Sequence, residues 1–314
     1  MKKLRAFISI IAVIAIISVM FSGCSLFSKK ENPESDELSH TQTTTSVAED
    51  AIAPEDVTWN GDMFEAINND GLLNILLIGQ DRRPNEGRQR SDCMILCSLN
   101  PETKELSMIS FLRDLYVQIP GYSDNRLNAA YVYGGFDLIK ETFNHNFGVN
   151  IDGCLEVDFD SFEQIVDILG GVEIELTSAE AQIVGSGATE GFYLLNGEQA
   201  LTYTRIRKID SDFQRTARQR ALLNAVFSKM KNCTLTELMT LVGEILPLMT
   251  TDMTDDELMS FAFSLASSLS ELKIENYGVP SSGNYQNATI NGMAVLVPDL
   301  YEIKKLIFEE YLPV

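Results

Sequence analysis

The sequence predicts an α/β protein in which a β-sheet is covered by helices. The main observation is that apolar segments with the length of strands alternate along the chain with segments whose apolar residues recur at helical spacing. A second observation is the run NILLIG at 74–79, which is apolar throughout and therefore typical of a strand buried on both of its faces.

The segments predicted as strands are rich in branched and aromatic residues, and turn-forming residues bound most of them. They are 74–79, 93–99, 106–112, 117–120, 154–159, 172–176, 273–279 and 293–298. Cys93 and Cys97 are an even number of positions apart in one strand, so their side chains share a face. We expect both thiols in the core.

The predicted helices occupy 128–148, 160–169, 196–207, 213–231, 234–246, 254–269 and 299–312. Gly134 and Gly135 are expected to bend or break the first of them. Asp160 and Glu163 have the spacing of a capping box, which predicts that the second helix begins at Asp160.

The charge of the chain is strongly acidic but unevenly distributed. Its formal net charge is −21, which disfavours binding to duplex nucleic acid because that ligand requires a basic surface. All arginines except Arg5 nevertheless lie between Arg82 and Arg220. Since a guanidinium binds phosphate oxygens with two parallel hydrogen bonds, this clustering indicates a compact anionic ligand.

The first 24 residues have the features of an export signal or a membrane anchor. Lys2, Lys3 and Arg5 precede an apolar stretch from Ala6 to Phe21. This stretch is shorter than the roughly 20 residues that a spanning helix needs. The basic residues predict a cytoplasmic N-terminus, so the rest of the chain would lie outside the membrane.

Small residues precede Cys24, as at a bacterial lipoprotein processing site, and Cys24 would then carry the lipid. The alternatives are an uncleaved anchor formed by residues 6–21 and complete release of the chain. Residues 25–57 are polar and poor in aromatic residues, which predicts a disordered linker. A single extracellular domain is then expected over 58–314.

Several kinds of active site are excluded. The chain has two histidines, one of them in the predicted linker, so neither a serine–histidine–aspartate triad nor a zinc site with cysteine is plausible. Neither a GxxxxGK[ST] phosphate-binding loop nor a GxGxxG sequence that opens a helix is present. The chemistry must therefore depend on carboxylates and arginines, with or without a metal ion.

The first polar cluster, GQDRRPNEGRQRSD at 79–92, lies between two predicted strands. Ligands commonly bind where buried strands of an α/β sheet end. Asp81 and Asp92 are placed to converge on one Mg²⁺, an ion that takes one or two carboxylates together with substrate phosphates. The alternative is a surface loop rich in ion pairs.

Two further groups of charges also follow predicted elements. Arg113 and Asp114 come after the strand at 106–112 and could instead form a simple salt bridge. Arg205 and Arg207 end the helix at 196–207, and their side chains point the same way if the chain is extended there.

On the helix at 213–231, Arg215, Arg218 and Gln219 share one face, and apolar residues continue that stripe. Burying an arginine side chain is energetically unfavourable unless an anion pairs with its charge. A basic helix paired with acidic neighbours is the alternative. Arg220 is expected to face solvent. Together the three clusters indicate phosphoryl transfer, which requires positioning and charge stabilisation above all.

The chain resembles the LytR–CpsA–Psr (LCP) family of cell-envelope glycopolymer ligases. The matching stretches are NILLIGQDRR, RSDCMILCSLNPETKELSMISFLRDLYVQIPG, RLNAAYVYGG, EVDFDSFEQIVDILGGVEIEL, LNGEQALTYTRIR and DFQRTARQRALL, which together cover about 72–225. The resemblance implies an α/β fold with a mixed central β-sheet and helices on both faces.

The resemblance also implies a reaction and its partners. A glycopolymer linked to a polyprenyl pyrophosphate is transferred to a hydroxyl of peptidoglycan, with cleavage of the pyrophosphate and formation of a phosphodiester. Mg²⁺ or Mn²⁺ supports the step at the outer face of the cell membrane. Rival interpretations are a pyrophosphatase that hydrolyses the same carrier and a non-catalytic envelope protein that binds prenyl phosphates or regulates gene expression.

The family's site residues are carried over by motif. Asp81 and Asp92 match its metal-associated acids. The positions implied to bind the pyrophosphate are Arg83, Arg90, Arg113, Arg126, Arg205, Arg207, Arg215, Arg218 and Gln219. Asp92, Arg113 and Asp114 are the implied catalytic residues, with Asp92 or Asp114 as candidate general base.

The chain departs from the family's pattern at three positions, Leu112, Cys93 and Gln214, where Pro, Thr and Gly are usual. None of these departures removes a charged group.

Overall fold

The computed structural model describes residues 51–64, 71–80, 82, 87–206 and 212–314. The predicted export segment with Cys24, the linker up to residue 50, and the site residues Asp81, Arg83 and Arg207 lie outside these ranges. Within the ranges, no helix is both long and apolar enough to cross a membrane.

The strands found in the described ranges include those predicted, except that 117–120 is a strand only at Val117, and several more. They are β1 (Leu73–Gln80), β2 (Ser91–Asn100), β3 (Glu105–Phe111), β4 (Tyr116–Val117), β5 (Asn125–Arg126), β6 (Gly153–Asp158), β7 (Val172–Leu176), β8 (Gly191–Leu195), β9 (Thr250–Thr251), β10 (Lys273–Val279), β11 (Tyr285–Ile290) and β12 (Met293–Pro298).

Six of these strands form the central sheet in the order β10-β3-β2-β1-β6-β9. The pairs β1–β6 and β3–β10 are parallel, whereas β2 runs antiparallel to both of its neighbours, so the sheet is mixed as expected. As a result, β1, β3, β6 and β10 all end at the edge of the sheet where β2 begins.

The helices are α1 (Leu127–Phe147), α2 (Phe159–Ile168), α3 (Ser178–Val184), α4 (Gly197–Thr204), α5 (Asp212–Lys231), α6 (Leu235–Ile245), α7 (Asp255–Ser268) and α8 (Leu300–Leu306). They cover both faces of the sheet. Buried residues of α1 and α8 contribute to one apolar core, and buried residues of the helices from α2 to α7 contribute to the other.

Alternate side chains of each central strand enter opposite cores. In β2, Cys93, Ile95 and Cys97 pack on the side of α5, whereas Met94 and Leu96 pack on the side of α1. The expected burial of Cys93 and Cys97 is therefore confirmed. Burial raises the pKa of both thiols because the thiolate loses its hydration.

Helices α1 and α2 show how glycine and aspartate set the ends and bends of a helix. The expected bend in α1 is confirmed, since Gly135 has φ 67° and ψ −146° within the helix. The predicted start of α2 at Asp160 is wrong. Asp158, the last residue of β6, accepts a hydrogen bond from the backbone N–H of Ser161 and caps the helix. Strand and helix are therefore joined without a loop.

Several elements escaped the sequence prediction, among them α3, β8 and β11. A capping box of Thr177 and Glu180 begins α3, and β8 pairs with β7 as an antiparallel hairpin. The β11–β12 hairpin turns at Asn291 and Gly292, which both have positive φ. Residues 51–57, assigned to the linker from sequence, already contact this hairpin, because the N–H of Ile52 donates to the carbonyl of Thr289 at 3.2 Å.

A buried ion pair joins α3 to α5. Arg218 Nε donates to Glu180 Oε1 at 2.6 Å, and its Nη1 donates to the carbonyl of Ile206 at 3.1 Å. Burial raises the pKa of Glu180, but the hydrogen bonds from Arg218 and Thr177 outweigh it, so the pKa is below its ordinary value. The carboxylate is thus held in its ionised form.

Glu180→Gln is expected to lower the free energy of unfolding by about 3 kcal/mol at pH 7, because it removes the carboxylate that pairs with the buried Arg218 guanidinium. A carboxyl with a depressed pKa contributes stability above its unfolded-state pKa, and this is lost as the pH falls through the folded-state pKa. The difference between variant and wild type should therefore shrink in acid.

Urea denaturation at several pH values, followed by the fluorescence of the single tryptophan, Trp59, measures this difference. Glu190→Gln, at an exposed carboxylate, is the matched control. If Glu180→Gln lowered the free energy of unfolding by the same amount at every pH, the result would contradict an ionised pair.

Candidate anion-binding site

The candidate site lies at the sheet edge where β2 begins and its neighbours end. Asp92 is the second residue of β2, and Arg113 follows β3. Arg113 Nη1 donates to Asp92 Oδ1 at 3.1 Å, and Asn128 Nδ2 is 3.3 Å from the same oxygen. Asp92, from the first polar cluster of the sequence, and Arg113, from the second, are therefore in direct contact.

Helix α5 supplies the second wall of the site. Arg215 and Gln219, one turn apart, are each only 1% exposed, so the predicted inward face of this helix is confirmed. The Cys93 thiol lies 3.7 Å from Gln219 Oε1, which places Gln219 against the start of β2. Gln219 Nε2 is buried and has no hydrogen-bond partner among the described residues. A buried guanidinium beside an unsatisfied N–H donor is an arrangement suited to an anion.

A chain of alternating charges orients Arg113. Asp114 Oδ2 is 3.4 Å from Arg113 Nε, and Asp114 Oδ1 is 3.3 Å from Arg126 Nε. Arg126 also donates from Nη2 to the carbonyl of Ala294 in β12 at 2.5 Å. These contacts place Asp114 and Arg126 as groups that fix Arg113 relative to the β11–β12 hairpin.

Three further predicted anion-binding residues that the structure describes, Arg90, Arg205 and Arg218, are placed differently from this buried cluster. Arg90 is exposed just before β2. Arg205 is the C-cap of α4, and its guanidinium lies over the Phe159 ring at 4.5 Å from the centroid. Arg218 is directed at Glu180 and Ile206 inside the protein. The roles of Arg90, Arg205 and Arg218 in binding a ligand remain predictions, as do those of Arg83 and Arg207.

Arg220 does not face solvent, contrary to the sequence prediction. It is half-buried, and Nη1 has no hydrogen-bond partner among the described residues. A Cβ atom at Gly278 would lie 3.8 Å from that Nη1, so the guanidinium reaches β10. Helical spacing places Arg220 outside the apolar stripe of α5, which is why the sequence predicts exposure. In the structure β10 packs beside α5 at this position and covers part of the side chain.

Sequence reasoning also missed a buried polar network behind the loop that joins β1 to β2. Glu156 in β6 is 3% exposed and accepts hydrogen bonds from the amide of Gln80 and from the Tyr131 hydroxyl, the latter at 2.6 Å. Gln80 Oε1 in turn accepts from the N–H of Gln89 at 2.8 Å, which closes the loop at its base. Gln80 and Glu156 are polar residues within otherwise apolar strands, and this feature of the sequence could have revealed the network.

The same loop is supported from two sides. Arg82 Nη2 donates to Asp158 Oδ2 at 3.2 Å, next to the cap of α2. On the other side, the Arg88 guanidinium lies 5.5 Å from the centroid of the Tyr131 ring, above the bend in α1. A Cβ at Gly135 would be 2.6 Å from Arg88 Cζ, so only glycine leaves room for this contact.

Asp92 and Asn128 present oxygen atoms that fit a hard divalent cation. Asn128 Oδ1 is buried and has no hydrogen-bond partner within the described ranges, although the amide is directed at Asp92. Mg²⁺ and Mn²⁺ prefer oxygen ligands and retain positions for water and substrate. Among the residues described, no three or more His, Cys, Asp or Glu side chains are grouped to hold a metal, and Asp81 lies outside them.

Comparison with known proteins identifies relatives over most of the chain. The LytR_cpsA_psr family matches residues 32–308. The polyisoprenyl-teichoic acid–peptidoglycan teichoic acid transferase TagU of Oceanobacillus iheyensis is 33% identical over 252 residues, covering 74% of this chain and 73% of TagU. The regulatory protein MsrR of Staphylococcus aureus strain COL is 29% identical over 229 residues, covering 72% and 69%.

A solved structure shares the fold. TagT bound to LIIa-WTA superposes with a TM-score of 0.62 at 26% sequence identity, over 79% of this chain and 94% of TagT. Three observations support the same family: the match over residues 32–308, the mixed sheet with helices on both faces, and the arginine and aspartate motifs. The chain belongs to the LytR–CpsA–Psr family.

Proposed function

We propose that this protein transfers a glycopolymer from a polyprenyl pyrophosphate carrier to a hydroxyl group of peptidoglycan. The observation that carries the proposal is the set of polar groups around the start of β2: Asp92 in contact with Arg113, and the buried Arg215 and Gln219 of α5, of which Gln219 contacts Cys93. The similarity to TagU, named as a teichoic acid transferase that acts on peptidoglycan, supports the same reaction class.

In the proposed reaction, the acceptor hydroxyl oxygen attacks the phosphorus that bears the glycan. The bond from that phosphorus to the bridging oxygen breaks, and the electron pair leaves with polyprenyl phosphate. The hydroxyl proton passes to a base, for which Asp92 and Asp114 are the candidates. The products are a glycan–peptidoglycan phosphodiester and polyprenyl phosphate, so atoms and charge balance.

The residues of the site act mainly on the negative charge of the pyrophosphate. Arg113 and Arg215 neutralise the phosphoryl oxygens, and the Gln219 amide donates a further hydrogen bond. Because Arg113 is fixed by Asp92 and Asp114, it is oriented before the substrate arrives, which lowers the reorganisation needed in the transition state. Arg90, Arg205 and Arg207 are proposed as further cationic contacts of the substrate.

A divalent cation completes the proposed site. Asp92 and Asp81 would hold Mg²⁺ or Mn²⁺, with Asn128 Oδ1 as a neighbouring oxygen donor. The bound ion would supply Lewis-acid stabilisation of the pyrophosphate and lower the pKa of the acceptor hydroxyl.

The proposed domain acts at the outer face of the cell membrane. Residues 6–21 as a retained helix, or a lipid on Cys24, would tether it there. This placement brings the site near a carrier whose prenyl chain lies in the bilayer.

The transfer reaction is tested with the full-length protein in detergent, a polyprenyl-pyrophosphate glycan, Mg²⁺ and peptidoglycan fragments. The proposal expects glycan joined to the fragments by a phosphodiester. Release of a phosphate-terminated glycan without joining would identify a hydrolase. Binding of the carrier without turnover would favour the regulatory role that the name of MsrR indicates.

Arg215→Ala is expected to lower kcat for transfer by about 100-fold or more, because it removes a buried, pre-positioned donor to the phosphoryl oxygens. Arg215→Lys keeps the charge but loses the planar fork, so we expect an intermediate rate. Lys305→Ala, on α8, is the control. Equal rates for Arg215→Ala and wild type would exclude Arg215 from the reaction.

Asp92→Asn should weaken Mn²⁺ binding by at least about tenfold, since a neutral amide replaces a carboxylate ligand. Titration of Mn²⁺, followed by electron paramagnetic resonance, measures the affinity directly and does not depend on turnover. Asp160→Asn, at an exposed carboxylate, is the matched control. Unchanged Mn²⁺ affinity in Asp92→Asn would remove Asp92 from the metal site.

A further inference from the structure

The Arg220 guanidinium is a half-buried cation without a neutralising partner in the described part of the chain. Among these residues, no carboxylate lies within ion-pair distance of it, and its Nη1 donates no hydrogen bond. Burial lowers the pKa of Arg220 below its ordinary value because the charged form is partly dehydrated. Such a cation is unfavourable unless a ligand supplies the missing charge.

Arg220 lines a groove of about 500 Å³ between the start of α5 and the segment that follows β10. Phe213 and Tyr285 form one wall, with ring centroids 5.8 Å apart and planes inclined by 34°. Ser281 and Ser282 line the groove as well. A guanidinium, two aromatic rings and two hydroxyl-bearing residues therefore meet around one open space.

A second unsatisfied polar group lies beside this groove. Ser110 in β3 is the register partner of Gly278, over which the Arg220 guanidinium lies. Its Oγ is buried and has no hydrogen-bond partner in the described part of the chain.

These features select one class of ligand. Aromatic rings pack against the apolar face of a sugar, hydroxyl groups hydrogen-bond its substituents, and a dehydrated guanidinium requires a negative charge. An uncharged prenyl chain would leave the Arg220 charge unmet. A sugar that carries a carboxylate or a phosphate satisfies all of these groups at once.

We propose that the groove beside Arg220 binds a negatively charged sugar unit of the donor glycopolymer, next to its pyrophosphate. Arg220 follows Gln219 in the first half of α5, and Gln214 and Thr216, which flank Arg215 in sequence, line the groove, so a glycan held at Arg215 and Gln219 can extend into it. This assignment rests on the proposed transfer reaction. It makes Arg220 a residue that selects among donors rather than one that acts on the reacting phosphorus.

Equilibrium binding tests the groove independently of turnover. Ligand-observed NMR with the full-length protein in detergent compares methyl glucuronide with methyl glucoside, which differ by one carboxylate. Wild type is expected to bind the charged sugar about tenfold more tightly, and Arg220→Gln to abolish the preference. Lys305→Gln, which removes a charge elsewhere, should retain it. Absence of the preference in wild type, or its persistence in Arg220→Gln, would overturn the proposal.

The transfer assay separates the donor from the acceptor as the source of the sugar. Two donors are used whose sugar next to the pyrophosphate either carries a carboxylate or is neutral. Arg220→Gln should raise KM for the acidic donor only and leave turnover of the neutral donor unchanged. A change in KM for the peptidoglycan fragment instead would contradict the assignment.

Two controls keep the outcomes distinct. If wild type transfers neither donor, the proposed reaction fails, and the binding experiment still decides whether the groove takes a charged sugar. Arg220→Gln should not lower the Tm followed by Trp59 fluorescence, because an unneutralised buried charge is removed. A lower Tm together with an unchanged sugar preference would indicate a purely structural residue.

Discussion

The burial of the central sheet on both faces determines where this protein can place polar groups. Nearly every side chain of β1 and β2 enters one of the two apolar cores, so charged residues on these strands would be desolvated. Ionisable groups are tolerated where the strands end. The strands β1, β3, β6 and β10 all end at the edge of the sheet where β2 begins. The topology thus concentrates Asp92, Arg113 and the start of α5 at one edge, and the acidic surface elsewhere does not conflict with a local cationic site.

The polar groups at this edge are held by partners from distant parts of the chain. Arg113 is oriented through Asp114 and Arg126 to the carbonyl of Ala294 in β12. Helix α5, which carries Arg215 and Gln219, is fastened by the Arg218–Glu180 pair to α3. The site is therefore assembled from the sheet, a helix and a hairpin, each held by at least one contact of a charged side chain, which limits the reorganisation that a bound anion would require.

Local patterns in the sequence predicted much of this arrangement. Apolar runs identified the central strands, and helical spacing identified the inward face of Arg215 and Gln219. What depends on contacts between distant segments was not predictable. The partner of Arg218 is Glu180, on a helix too short to be recognised from periodicity. The partial burial of Arg220 depends on β10, which is more than fifty residues away in sequence. The start of α2 was misplaced because Asp158 serves both as the end of a strand and as a helix cap.

The buried cysteines have a consequence for the environments in which the chain can fold. Cys93 and Cys97 lie on one face of the sheet and Cys154 lies on the other, so the sheet itself separates Cys154 from the first two thiols. Burial raises the pKa of all three thiols, which keeps them as unreactive thiol groups. The folded core is thus insulated from thiol–disulfide exchange. Its formation needs no oxidising machinery, and its stability should be the same in reducing and in oxidising surroundings.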